Sequence, residues 1–193
     1  MPKKDILFLD ACVRGEASRT LELANRFLSN LADAQITHLK LDTLGLQPLD
    51  KARLHERDHL LHEGKTDASF FVHANTFRNA QWIVIAAPYW DFSFPALLKL
   101  YVENVSCSGV TFAYDETGNP VSLCRAERLV YITTAGGYIG ENNFGFTYIR
   151  AVMEQFFGVK QSFHIAADGL DIIGNDPRAI LIAAEAQFPA ALG

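Results

Sequence analysis

Cysteine is scarce in this sequence: Cys12, Cys107 and Cys124 are scattered over 193 residues with no Cys-x-x-Cys spacing. An odd, dispersed set excludes a disulfide framework and predicts free thiols in a reducing cytoplasm. Long apolar runs are also missing, and none approaches the roughly 20 residues that span a bilayer. The start, Met-Pro-Lys-Lys-Asp, enters an apolar run too short and too acid-flanked to be a signal peptide. Positive charge is in deficit, with 17 Lys and Arg against 22 Asp and Glu and a net charge of -5. No basic stripe appears, which argues against a nucleic-acid partner held through its phosphates. The glycine signatures of nucleotide binding are absent. Neither G-x-G-x-x-G nor the Gly-Lys-Ser/Thr of a P-loop occurs, so neither a Rossmann dinucleotide site nor an NTPase is indicated. Repeats, low-complexity tracts and signs of a second domain are lacking, so residues 1–193 read as one domain.

What is present is an ordinary globular composition, 49% hydrophobic and 20% charged. Continuous apolar runs predict five strands near residues 6–10, 36–41, 82–87, 129–133 and 163–167. The second is the weakest, interrupted by Thr37, His38 and Lys40. Helical spacing follows most strands. Ser18 is a candidate N-cap ahead of Leu21, Ala24, Leu28 and Leu31. Residues 67–77 read as helical. Pro95 is placed as the first residue of a helix carrying Leu97, Leu98, Tyr101, Val102 and Val105. A further helix is expected to stop at Gly158, and a last one to run from Asp176-Pro177 towards Leu192. The charged stretch from Asp50 to Lys65 reads as a long solvated connection with short helical pieces. Residues 110–114 and 121–123 flank a hairpin-like excursion. Strands alternating with helices predict a doubly wound α/β fold, a three-layer sandwich around a five-stranded parallel sheet in the flavodoxin-like order 2-1-3-4-5. In that order the loop after the first strand lies beside the loop after the third.

Three loops leave the C-terminal ends of predicted strands. The first, Asp10 to Thr20, offers the hydroxyls of Ser18 and Thr20, the start of a helix, and two guanidinium groups, Arg14 and Arg19. That combination suits an anion; taken alone, a capped helix with two solvated arginines explains it as well. The second, Pro88-Tyr-Trp-Asp-Phe-Ser-Phe-Pro95, brackets four aromatics with prolines and suggests a platform for something flat. The third, Thr133-Thr-Ala-Gly-Gly-Tyr138, carries two glycines that would let backbone N–H groups approach a ligand. An anion site, an aromatic platform and open N–H groups at one sheet edge suit a phosphate-bearing flat heterocycle, which describes FMN.

The motifs Ala86-Ala-Pro-Tyr-Trp-Asp-Phe92, Leu98-Lys-Leu-Tyr101, Ser108-Gly-Val-Thr-Phe-Ala-Tyr114 and Thr133-Thr-Ala-Gly-Gly137 resemble, in order and spacing, those of the flavodoxin-like NAD(P)H:quinone oxidoreductases. Among these the FMN-dependent NADH-azoreductases are most similar. The resemblance implies that Ser18 and Thr20 hold the FMN phosphate, to which Arg14 and Arg19, on the loop's own chemistry, add positive charge. It implies that Pro88, Tyr89, Trp90, Asp91 and Phe92 lie along the isoalloxazine, and that Thr134, Ala135, Gly136 and Gly137 reach its pyrimidine side. It also implies a homodimer with active sites at the interface, and ping-pong two-electron reduction of quinone-, azo- or nitro-type small molecules by NADH or NADPH. Gly136 and Gly137 are then candidates to stabilise charge on the reduced ring, and Tyr138 or Tyr148 to donate to the acceptor. Cys12 stands where a phosphate-binding serine is common, and Asp91 where an asparagine is common. A carboxylate beside a ring that becomes anionic disfavours its reduction unless it points away or pairs.

Two readings compete: a flavodoxin-like electron carrier, although the first loop lacks Thr-x-Thr-Gly-x-Thr, and a binding protein of the same fold that has lost the flavin. His55-Glu-Arg-Asp-His59 matches H-E-x-x-H literally, but its charged flanks fit a solvated helix better than a zinc site, and no metal is expected. Cys107 reads as a packed small hydrophobe.

Overall fold

The computed structural model describes residues 3–31 and 33–192. The strands are β1 (Lys4–Asp10), β2 (Ala34–Lys40), β3 (Trp82–Ala86), β4 (Phe112–Tyr114), β5 (Pro120–Ser122), β6 (Arg128–Thr134) and β7 (Gln161–Ala167), with the most apolar runs in β1, β3 and β6. Between and after them lie α1 (Arg19–Leu28), α2 (Lys51–His62), α3 (Val72–Asn79), α4 (Ala96–Val105), α5 (Phe144–Gln155), α6 (Pro177–Ala184) and α7 (Phe188–Leu192). Five strands pair in parallel in the order β2-β1-β3-β6-β7. This is the predicted 2-1-3-4-5 order, because β4 and β5 form a separate antiparallel pair. Every residue of β3 and of β6 is buried.

Alternate strand residues feed two cores, as period-2 geometry requires. Leu7, Leu9, Ile83, Ile85, Leu129 and Tyr131 pack with residues of α3, α4 and α5. On the other face Ile6, Phe8, Val84, Val130 and Ile132 pack with α1, α6 and α7. The edge strand β2 is mostly exposed, which is why its sequence is interrupted by polar residues. No helix among the described residues is long and apolar enough to cross a membrane.

Four expectations about elements need correction. The stretch from Asp50 is one continuous helix, α2, capped by the Asp50 carboxylate accepting from Arg53 N–H at 2.9 Å. It has no buried residue, although Leu60 and Leu61 rest against the core, so it lacks the apolar face that would have marked it. The helical reading of residues 67–77 shortens to a 3-10 turn, Ser69–Phe71, leading into α3. Pro95 is the extended N-cap of α4 rather than its first residue, with ψ 139°. The last helix breaks at a 3-10 turn, Glu185–Gln187. Pro189 lacks the N–H that would return to Glu185, and its ring crowds that carbonyl. Gly158 does end the region of α5: it sits at φ +70°, and a Cβ there would stand 2.8 Å from Ser122 Cβ.

Candidate functional site at the C-terminal edge of the sheet

Parallel register brings Asp10, Ala86 and Ile132 side by side, so the loops leaving β1, β3 and β6 emerge together. They are joined by direct bonds. Tyr89 N–H donates to Thr134 O at 3.0 Å, Ala87 N–H to Ile132 O at 3.0 Å, and Ala11 N–H to Ala86 O at 2.9 Å. The buried hydroxyls of Thr20 and Thr134 lie 2.6 Å apart. The resulting cleft of about 220 Å³ is lined by Arg14, Ser18, Arg19, Thr20, Pro88, Tyr89, Trp90, Thr134 and Gly136, with Ala17 and Asp171.

In the first loop Ser18 Oγ accepts from Leu21 N–H at 3.3 Å and starts α1. The N–H groups of Arg19 and Thr20 find no acceptor among the described residues, as the first turn of a helix requires. Two open donors, two hydroxyls and the exposed Arg14 therefore meet at the positive end of α1. Cys12 is placed elsewhere. Its thiol turns inward to Ala86 O at 3.6 Å, and burial pushes its pKa up to about 12. The buried Asp10 carboxylate braces this loop, accepting from Cys12 N–H at 2.9 Å and lying 3.3 Å from His38 Nε2.

In the second loop Trp90 and Ser93 exchange backbone hydrogen bonds around Asp91 at φ 51° and Phe92 at φ 62°. Two successive left-handed residues closing a two-residue loop are the geometry of a type I′ turn, which asparagine and glycine fill with least strain. Phe92 is 59% exposed at its tip, and Trp90 stands partly exposed beside it. Asp91 is exposed and, like Phe92, lies outside the cleft lining. Phe94 turns in against Tyr148, with ring centroids 5.8 Å apart. Tyr89 is fixed by its hydroxyl donating to Asn142 O at 2.9 Å.

In the third loop Ala135 is buried, with its N–H spent on Ala167 O, whereas the N–H groups of Gly136 and Gly137 have no acceptor among the described residues. Gly137 faces open space, where a ligand could approach its backbone. At Gly136 a Cβ would stand 2.2 Å from Asp171 Oδ2, so a side chain there would displace that exposed carboxylate. Tyr138 lies outside the cleft, lining an open groove of about 650 Å³ beside α6.

Sequence reasoning missed the turn after β7. Gly169, Leu170 and Asp171 donate their N–H groups to the carbonyls of Gly137, Ala135 and Gly136 at 2.9, 3.1 and 2.8 Å. Asp171 also receives Arg19 through two hydrogen bonds, at 2.8 and 3.1 Å. The dipeptide Asp168-Gly169 just beyond a predicted strand was the available signal for a loop at this edge. The H-E-x-x-H residues lie far from this chemistry in character: His55 and His59 are exposed on α2, and His59 pairs with Glu63 at 3.4 Å.

Comparison with known proteins agrees with this architecture. A family model described as a flavodoxin-like fold matches residues 4–191. An FMN-dependent NADH:quinone oxidoreductase of Clostridium acetobutylicum is 34% identical over 187 residues, covering 91% of this chain and 92% of the relative. One from Clostridium perfringens is 34% identical over 180 residues, covering 88% of each. An azoreductase structure from Bacillus anthracis superposes with a TM-score of 0.83 at 22% identity, over 97% of this chain and 98% of its own. An FMN complex of an FMN-dependent NADH-azoreductase from the same organism gives 0.81 at 23%, covering 98% of each chain. At such identity the superpositions speak for the fold. With a family model spanning nearly its whole length and curated relatives above 30% identity, the chain belongs to the flavodoxin-like family.

Proposed function

We propose that this protein is an FMN-dependent NAD(P)H oxidoreductase that reduces quinone- or azo-type small molecules by two-electron, ping-pong transfer. The observation that carries this reading is the set of open backbone donors at one sheet edge: Arg19 and Thr20 at the start of α1, and Gly136 and Gly137 beside them. The relatives' names supply the chemistry, FMN and NADH with quinone for the curated sequences.

The residues present fit that cofactor. Ser18, Thr20, the N–H groups of Arg19 and Thr20, and Arg14 would hold a phosphate, since open N–H donors and the helix dipole converge there. Tyr89 and Trp90 would border the flat ring, with Pro88 stiffening the approach. Hydride uptake from NADH or NADPH and its delivery to the acceptor is the chemistry FMN supplies when bound. Gly136 and Gly137 offer preorganised N–H groups to the negative charge that builds on reduction. Tyr138, set in the neighbouring groove, makes a weaker candidate for a proton donor than these backbone groups do for charge stabilisation.

The cleft, at about 220 Å³, falls below the roughly 300–1,000 Å³ of a typical ligand pocket. Trp90 and Phe92 stand exposed at its aromatic loop. Both facts favour a homodimer in which a second copy covers the ring. The three unpaired thiols, two of them buried, favour a reducing cytoplasm.

The test is the visible spectrum of the purified protein before and after NADH and NADPH. A yellow protein that bleaches anaerobically on addition of either donor and recovers its colour with a quinone is expected. A colourless protein that takes up no added FMN overturns the reading.

A further inference from the structure

Arg19 and Asp171 form an ion pair in the cleft that neither the anion site nor the aromatic platform explains. Arg19 begins α1, whereas Asp171 lies in the turn after β7. The guanidinium donates to both carboxylate oxygens, at 2.8 and 3.1 Å, and to Leu170 O at 3.3 Å. This fork uses the planar donor set that would otherwise grip a phosphate bidentately. From Asp171 the connection continues into the glycine loop. Its N–H donates to Gly136 O, and its carboxylate lies directly over Gly136, where a Cβ would stand 2.2 Å from Oδ2. Arg14, in contrast, has no hydrogen-bonded partner among the described residues and lines the same cleft.

Resting on the FMN reading above, we propose that Arg19 and Asp171 form a charge-compensated latch that positions the Gly136–Gly137 donors and sets the electron affinity of the bound flavin, leaving the phosphate to Arg14. With FMN held there, the open N–H groups of Gly136 and Gly137 would face the negative charge that reduction adds to the ring. A carboxylate and a guanidinium beside that loop act on the charge with opposite sign and nearly cancel while paired. Removing one leaves the other uncompensated. The Arg19 guanidinium therefore acts in positioning, with an electrostatic consequence, and only the backbone N–H of Arg19 is left to the phosphate. Glycine at position 136 leaves room for the carboxylate against the loop in this arrangement.

The experiment measures the midpoint potential of bound FMN, together with the affinity ratio of FMN to riboflavin, in the full-length protein. Asp171→Asn is expected to raise the potential, favouring the reduced form by about tenfold, which is ~30 mV for a two-electron couple. Arg19→Gln is expected to lower it by a similar amount. The double variant should return to within about threefold of the wild type, because both charges are gone. A purely structural latch would loosen the site in both single variants without opposite signs. Arg14→Gln should reduce the preference for FMN over riboflavin at least tenfold, whereas Arg19→Gln should change it less than threefold. Should Asp171→Asn fail to fold, Arg19→Lys replaces it in the test: the retained charge predicts a potential within threefold of wild type, against the fall in Arg19→Gln. Single-variant shifts of the same sign, no shift, or a large loss of phosphate preference in Arg19→Gln overturn the latch alone. A wild-type protein that binds no flavin overturns the functional reading and the latch with it.

Discussion

His164 is half-buried among aromatic rings, with its neutral form favoured. Phe146 stacks on it at 4.6 Å and 11°, Tyr131 lies 5.9 Å away, and Asn143 Nδ2 reaches its Nδ1 at 3.4 Å. Its Nε2 is buried with no partner among the described residues. Burial pushes its pKa down to about 4, with the charge of Asp168 pulling weakly the other way. The sign of the consequence follows from linkage. An unfolded histidine titrates near 6.5, so between that pH and about 4 the unfolded chain binds the proton that the folded chain refuses. Stability is therefore undiminished above pH 6.5, falls as the pH drops towards 4, and levels below it. By pH 4.5 this one group should cost roughly 2 to 3 kcal/mol. Urea unfolding of His164→Phe at pH 7 and pH 4.5 checks this. The variant should lose much less stability between the two than the wild type, and an identical loss would place the acid sensitivity elsewhere. The same burial makes Cys12 a packing residue: a thiol held up to about 12 and turned to a backbone carbonyl has no thiolate to offer a ligand.

Among the elements, the turn from Trp90 to Ser93 carries the clearest conflict between local preference and the observed backbone. Asp91 and Phe92 both occupy the left-handed region, at φ 51° and 62°. For a bulky aromatic that conformation costs on the order of 1–3 kcal/mol. The strain is held by the Trp90–Ser93 hydrogen bonds and by the rigid β3 and α4 on either side. Phe92→Gly should relieve it and stabilise the fold by about 1 kcal/mol, raising Tm by roughly 2–4 °C, while weakening flavin retention because the exposed ring is lost. A variant both less stable and undiminished in flavin affinity would show that the turn is neither strained nor functional. This turn also shows where sequence legibility ends. The aromatics between two prolines marked the loop, and the apolar runs marked β1, β3 and β6, because each feature is local. The left-handed pair was invisible, since its residues are not the ones such a turn prefers. Helix α2 was read as fragments because it buries no residue and so leaves no apolar stripe. The contact between Gly136 and Asp171 arises only through the fold. Non-local pairings of this kind leave no spacing in the chain to read.

At the scale of the whole molecule, the sheet order does most of the organising. Placing β3 between β1 and β6 makes neighbours of three loops that are widely separated in sequence. The fourth loop, after β7, then ties back to α1 through Arg19 and Asp171. One edge is thus tied together by hydrogen bonds from Thr20 to Asp171, yet its aromatic tip stands open. The proposed second copy resolves that imbalance: a flat cofactor on an open platform exposes one face, and an apolar ring 59% exposed at the tip gains by being covered. If the cover is a second copy, flavin binding and dimerisation are linked, and each should strengthen the other by mass action. Sedimentation at rising concentration, with and without FMN, should show the flavin shifting the protein towards dimer. The Tm should rise with protein concentration in the same range. Phe92→Glu should weaken both association and flavin retention, by about tenfold or more, because a charge would be buried at the covered tip without a partner. A wild-type protein that stays monomeric at all concentrations while holding FMN tightly would mean that the open platform is sufficient and that the exposed rim serves the acceptor alone.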